Sequence, residues 1–182
     1  MRNCYFTSDT HFYHKNVLKY QEAERPFDDV MEMNEEIIKR HNEIVTKKDD
    51  VYYLGDFAFT GNNNICDILK RLNGRKHFVF GNHDRQMRHK SVEPYFDWMR
   101  SYHDLNLKQY GYKMPPMVLF HYPIDNWNRK FHGAYHLFGH THSSKFDQVG
   151  RMNVGIDSHN LYPWSLEDVI ENLKSMERDS ES

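Results

Sequence analysis

His77-Phe78-Val79-Phe80 runs directly into Gly81-Asn82-His83-Asp84. A short apolar run that stops abruptly at glycine and polar groups predicts a buried strand opening into a loop that carries function. Asn82 offers a carbonyl oxygen and His83 an imidazole, so the loop can supply only part of a metal or acid/base site. The same pattern recurs outward along the chain. Residues 3–7 are β-prone and lead into Ser8-Asp9-Thr10-His11, and Asp50-Val51-Tyr52-Tyr53-Leu54 leads into Gly55-Asp56. Helical spacing separates these runs. Val30, Met33 or Asn34, Ile37, Ile38, His41, Ile44 and Val45 follow a cap at Asp28 or Asp29, and Ile65, Ile68, Leu69 and Leu72 precede the stop signal Asn73-Gly74. Strand, helix, strand, helix, strand predicts a layered α/β fold whose ligands gather at the carboxyl ends of the strands.

Beyond Pro94 the rhythm changes. Residues 105–110 and 117–120 predict two antiparallel strands, separated by Gly111 and Pro115-Pro116. The second runs into His121, and Tyr135-His136-Leu137-Phe138 runs into Gly139-His140-Thr141-His142. Residues 152–155 predict another short strand. Ser165 opens a last helix, with Asp168 completing a Ser-x-x-Asp start and Leu166, Val169, Ile170 and Leu173 on its apolar face. Residues 1–177 are expected to form one domain, and 178–182 a frayed polar tail.

A chain of 182 residues fits one full core. The net charge of -2 gives no footprint for non-specific DNA binding. No run approaches the ~20 apolar residues that span a bilayer, and the beginning of the chain lacks an apolar signal core, so a cytoplasmic protein is expected. Cys4 and Cys66 read as buried free thiols. Thirteen histidines are an excess that points to metal chemistry. His41, His77, His89, His103, His132 and His136 read as packing or surface residues.

Five apolar runs therefore end in groups suited to metal binding: Asp9 and His11, Asp56, Asn82 and His83, His121, and His140 with His142. Residues two apart in extended chain share a side, so Asp9 with His11, and His140 with His142, can each converge on one ion. Carboxylate, imidazole and amide oxygen together suit Mn, Fe, Zn or Co better than a thiolate site or an all-oxygen Ca or Mg cage. The donors suffice for two ions.

Asp9-x-His11, Gly55-Asp56, Gly81-Asn82-His83-Asp84, His121 and Gly139-His140-x-His142, in that order, closely resemble the five blocks of the calcineurin-like metallophosphoesterases. The opening from Phe6 to Asn16 with Arg25-Pro26-Phe27, and the late Asn153-Val154-Gly155-Ile156-Asp157, look like the small phage-type branch of that family. The resemblance implies a β-sandwich flanked by helices. It assigns Asp9, His11 and His142 to one metal, Asn82, His121 and His140 to a second, and Asp56 to both. The implied cofactors are two divalent transition-metal ions, Mn foremost, with Fe, Zn, Co or Ni as alternatives. The implied reaction is hydrolysis of phosphodiester or phosphomonoester bonds of nucleotides or small phosphate esters by a bridging hydroxide, with His83 as general acid.

One position departs from the pattern of the phosphoprotein phosphatase relatives. Phe59 stands where they carry the Asp that orients the acid, so Asp84, adjacent in sequence, is the nearest substitute. The block also lacks their Arg-Gly, which argues against a phosphoprotein substrate. His14, Lys15, Asn16 and Arg25, after the first ligand block, and Arg85, after the metal loop, are candidates for contacts to phosphate or leaving group; the plainer reading is solvated or helix-starting residues. Tyr122, Trp127 and Phe131 could stack on a base or an aryl group, against a plainer role at the core edge. A nuclease acting on polynucleotide, with Arg85, Arg88, Lys90 and Arg100 as a local basic patch, and a non-catalytic module on the same fold are the alternative functions. Oligomeric state is not legible in the sequence.

Overall fold

Side-chain alternation along three parallel strands sets the layers of the computed structural model, which describes residues 2–181. β1 (Cys4–Thr7), β2 (Asp50–Tyr53) and β3 (Arg75–Val79) lie side by side in parallel. Two edge strands flank them: β4 (Phe96–Arg100), parallel to β3, and the two-residue β9 (Trp164–Ser165), antiparallel to β1. Every residue of β1 and β2 is buried, as strands covered on both faces must be. Tyr5, Val51, Tyr53 and Phe78 join a core with α2 (Val30–Ile44) and α3 (Asn62–Arg71), which contribute Met33, Ile37, Ile65 and Leu69. The alternate residues Cys4, Phe6, Tyr52, Leu54 and Val79 join a second core instead. That core holds Leu105, Met117, Leu119, Leu137 and Met152 of a second sheet, built from β5 (His103–Leu105), β6 (Met117–Leu119), β7 (His136–Phe138) and β8 (Arg151–Asn153) in that order. The result is the expected pair of facing sheets flanked by helices.

α4 (Leu166–Glu181) lays Leu166, Val169, Ile170 and Leu173 on the second core. Its start is the predicted box: Ser165 Oγ accepts the Asp168 backbone N–H at 3.1 Å and donates to Asp168 Oδ2 at 2.6 Å. The helix runs through Glu181 and so includes residues 178–181 of the polar tail. Ser182 lies outside the described residues. Among the described residues no helix is long and apolar enough to cross a membrane.

The strand expected over 105–110 is corrected. Extended chain stops at Leu105, because the Asn106 side chain accepts the Lys108 N–H and starts a 3-10 turn over Leu107–Tyr110, which Gly111 closes with φ 90°. The expected antiparallel partner forms upstream of it, with Leu105 opposite Met117. β4 escapes sequence reading because an edge strand keeps only partial burial, and its Asp97 and Arg100 face solvent.

Two scaffold histidines make stability depend on pH. His41 on α2 lies 3.0 Å from the Asn73 carbonyl, and His136 on β7 lies between the Val118 and Tyr122 carbonyls. Burial pushes each imidazole from 6.5 down to about 4, against the pull of those carbonyls. Both are therefore neutral in the fold, and their contribution is complete above pH 6.5 and lost as pH falls through about 4. Urea unfolding between pH 7 and 4 should show falling stability across that window, with a shallower fall for His41→Gln; equal slopes in the two proteins would refute the assignment.

Candidate metal centre

Each strand that crosses the interior delivers one polar block to the same edge. Asp9 and His11 follow β1, Asp56 follows β2, Asn82 follows β3, His121 follows β6, and His140 and His142 follow β7. Backbone bonds lock the exits together: Asp9 N–H to the Gly55 carbonyl at 3.0 Å, His11 N–H to the Asp56 carbonyl at 3.1 Å, and Gly139 N–H to the His121 carbonyl at 2.9 Å. Two groups form, Asp9 with His11 and His142, and Asp56 with His121 and His140, each with its donor atoms within 4.8 Å of one another. Asn82 Oδ1 joins the second group, 3.0 Å from His121 Nε2.

The local backbone is bent to achieve this. Asp9, His11, Asp56, His140 and His142 have φ of 55°, 49°, 53°, 68° and 50°. A non-glycine residue in the left-handed region costs on the order of 1–3 kcal/mol and persists only where the surroundings dictate it. Gly139 shows how closely the exits meet, since a Cβ there would collide with Ser8 Oγ and Asp9 Oδ2.

The carboxylates divide their oxygens between scaffold and centre. Asp9 Oδ2 accepts the His140 N–H at 2.9 Å, while its buried Oδ1 has no hydrogen-bond partner. Asp56 Oδ1 accepts the His83 N–H at 2.9 Å, and its Oδ2 lies 3.6 Å from His121 Nε2 and 3.9 Å from His11 Nε2. Two histidines are oriented from behind: His121 Nδ1–H donates to the Leu54 carbonyl at 2.6 Å, and His142 Nδ1–H to Asp157 Oδ2 at 2.7 Å. Both Nε2 lone pairs are thereby turned inward, and His142 Nε2 comes within 3.1 Å of His11 Nε2.

The electrostatics reflect this crowding. Burial pushes the Asp9 carboxyl upward, against the pull of His142 and His121. Burial and the neighbouring His142 hold His11 far below the usual imidazole range, and burial with His121 lowers His140. Burial also works against charge on His142, but Asp157 and Asp9 outweigh it and hold that imidazole above its ordinary value. An orphaned buried carboxylate oxygen is costly without a cation beside it. The donors are oxygen and nitrogen with no thiolate, so they fit divalent transition-metal ions.

The remaining sequence candidates separate clearly. His83 is exposed at the rim, its ring 4.8 Å from Phe59 and 6.1 Å from His11. Asp84 does not orient it. The buried Asp84 carboxylate accepts the backbone N–H groups of Asp56 at 2.8 Å, Phe57 at 3.0 Å and Gly81 at 2.6 Å, and burial lifts its pKa to about 6 in spite of them. Phe59 supplies the packing for His83, with His14 stacked on the Phe59 ring at 3.9 Å. His14 thus reaches the rim, whereas Lys15 and Asn16 are exposed just before α1 (Val17–Tyr20) and join neither group. Arg85 is exposed beside the loop. Arg25 is corrected from a substrate contact to a wholly buried residue paired with Asp157. Asp157 itself escaped residue-by-residue reading; the available signal was an acid directly after the apolar Val154-Gly155-Ile156 segment.

Comparison with known proteins agrees with this geometry. The profile of the calcineurin-like phosphoesterase superfamily domain matches residues 3–156. The chain is 34% identical over 179 residues to an uncharacterized protein of Methanocaldococcus jannaschii, covering 93% of this chain and 90% of that protein. It is 28% identical over 203 residues to the Gene 66 protein of Mycobacterium phage D29, covering 97% and 98%. Among solved structures, the protein of unknown function AQ665 from Aquifex aeolicus superposes with a TM-score of 0.74 at 25% identity, covering 94% of this chain and 99% of that one.

Asp84 offers a direct test of how the centre is held. Asp84→Ala strands three backbone donors, at about 1–3 kcal/mol for each that stays buried. Amide hydrogen exchange at Asp56, Phe57 and Gly81 should accelerate and urea stability should fall; wild-type exchange at all three would show that the carboxylate holds neither loop.

Proposed function

The chain belongs to the calcineurin-like phosphoesterase superfamily, and from that premise we propose that it hydrolyses phosphodiester or phosphomonoester bonds of nucleotides or small phosphate esters. The cofactors in this reading are two divalent transition-metal ions, Mn foremost, with Fe, Zn, Co or Ni as alternatives. The observation that carries the reading is Asp56 Oδ2, which lies within 3.9 Å of a nitrogen from each donor group and so could serve ions held by both. Such a pair of ions activates water and offsets charge on the phosphoryl oxygens during in-line attack. Asp9 and Asp56 supply the negative charge that holds cations. His11 and His140, lowered by burial, keep their lone pairs free of protons at neutral pH.

His83 is the proton donor in this reading. Its backbone is fixed by Asp56, and its exposed ring packs on Phe59, 6.1 Å from the ring of His11. There it can protonate the departing oxygen or donate to a non-bridging phosphoryl oxygen. His14, stacked on the same Phe59 ring, and Arg85 remain candidates for the leaving-group side.

One observation favours extension to polynucleotide. A row of rings leads away from the centre: Tyr122 lies 4.8 Å from His140, Phe120 5.5 Å from Tyr122, and Tyr102 6.2 Å from Phe120. Arg100, two residues before Tyr102 in sequence, ends β4 with its guanidinium over the Trp98 ring. Base stacking on such rings contributes about 1–3 kcal/mol per base. Trp127 takes no part, since its indole N–H donates to the Ala134 carbonyl and its ring packs on His136.

Turnover of bis(p-nitrophenyl) phosphate and p-nitrophenyl phosphate with added Mn, lost on chelation, is the expected outcome. Failure of the fully metallated protein to hydrolyse any phosphate ester would sink the proposal. His83→Ala should keep its metal and lose about 10²–10⁴-fold in turnover, the usual contribution of a general acid; unchanged turnover removes His83 from the chemistry.

A further inference from the structure

Arg25 lies between α1 and α2 and is 0% exposed. A guanidinium cannot shed its charge, so burying it demands a matched partner and a full set of acceptors. Asp157 gives both oxygens, to Nε at 2.6 Å and Nη2 at 2.9 Å. The other donors reach backbone: Nη2 to the Asp9 carbonyl at 2.6 Å and Nη1 to the Thr10 carbonyl at 2.9 Å, with Met33 Sδ at 3.7 Å from Nη1. Those two carbonyls belong to the peptide groups that join Asp9 to His11, and both flanking residues are left-handed. Arg25 therefore holds the bend that points Asp9 and His11 at one spot. Asp157 extends the hold, because its Oδ2 also accepts His142 Nδ1–H. One guanidinium thus reaches all three members of the first group, two through backbone and one through a carboxylate.

The second group is supported differently. Among the described residues, the His121 ring is oriented by the Leu54 carbonyl, the Asp56 carboxylate by the His83 N–H, and the Asp56 and His140 amides by Asp84 and Asp9; neither Arg25 nor Asp157 touches any of them. We propose that Arg25 and Asp157 are a positioning pair dedicated to the first ion site, so that disturbing the pair weakens that site and leaves the second intact. The inference rests on the reading that the two groups hold ions. It gives the buried Arg25 a role distinct from substrate binding.

The test is Mn titration of apo-protein followed by calorimetry and bound-metal analysis, with activity left aside. Wild-type protein should bind two ions. Arg25→Lys, a point charge that cannot form the fork, and Asp157→Asn, which keeps shape without charge, should each weaken one ion about 10–100-fold, the usual effect of disturbing groups behind a ligand, and leave the other unchanged. Two backgrounds identify the weakened site. Added to Asn82→Ala, which damages the second group, Asp157→Asn should weaken the remaining ion; added to His11→Ala, which damages the first, it should change nothing. Two ions at wild-type affinity in both variants, or equal weakening of both sites, would overturn the proposal. Wild-type protein that binds no ion would overturn the proposed function, and this inference with it. Should the variants fail to fold, long-range ¹H–¹⁵N spectra of the wild-type protein decide: His142 protonated on Nδ1 supports the pair, and protonation on Nε2 alone overturns it.

Discussion

The centre depends on carboxylates that cross-link strand exits. A carboxylate has two oxygens and several lone pairs, so it can satisfy backbone donors from different loops at once. Asp84 binds the exits of β2 and β3 through Asp56, Phe57 and Gly81. Asp56 reinforces the same junction through His83 N–H, and Asp9 reaches across to the second sheet through His140 N–H. Hydrogen bonds inside the sheets can bring strands to a common edge, but they end where the strands end. Beyond that edge these side-chain acceptors replace the missing ladder.

Such a design stores strain and charge together. Left-handed Asp9, His11, Asp56 and His140 are tolerable because backbone groups of each are held by neighbouring loops, and His142 is held through its ring by Asp157. Asp9 Oδ1, buried without a partner, and the facing nitrogens of His11 and His142 then form a concentration of metal-binding groups. In a scaffold of two apolar cores that region lowers stability in the absence of a cation, and local consistency fails where function is expected. Its rigidity is the compensating gain, since donors already in place need no rearrangement to receive an ion.

The sequence discloses these parts unevenly. Apolar runs that stop at Asp, His or Asn mark the exits of β1, β2, β3, β6 and β7, because burial and ligation demand opposite chemistry at adjacent positions. The layers are less legible: β1 and β2 are apolar on both faces, so no alternation tells Tyr5 from Phe6, although they enter different cores. β4 and β9 are edges with little burial to imprint a pattern. Arg25 is opaque for another reason. A single arginine reads as solvated until Asp157, 132 residues away, is placed against it. Adjacency misleads at Asp84, since successive side chains in an irregular loop diverge, and one turns to backbone while His83 turns to solvent.

Phe59 shows what an apolar substitution can do at such a site. A carboxylate would orient His83 by taking a hydrogen bond from one ring nitrogen, and that nitrogen would then be occupied. Phe59 orients by contact, with the His83 ring 4.8 Å away and His14 and His11 packed around the same phenyl. Among the described residues neither ring nitrogen of His83 has a hydrogen-bond partner, while its main chain is fixed by Asp56. Position and hydrogen bonding, which a carboxylate would supply together, are separated here. The backbone bond and aromatic packing restrict where the ring lies, and its donors and acceptors remain available to whatever occupies the centre. The tie from His83 N–H ends on Asp56, the carboxylate between the two donor groups, so the main chain that carries the imidazole is linked directly to the centre.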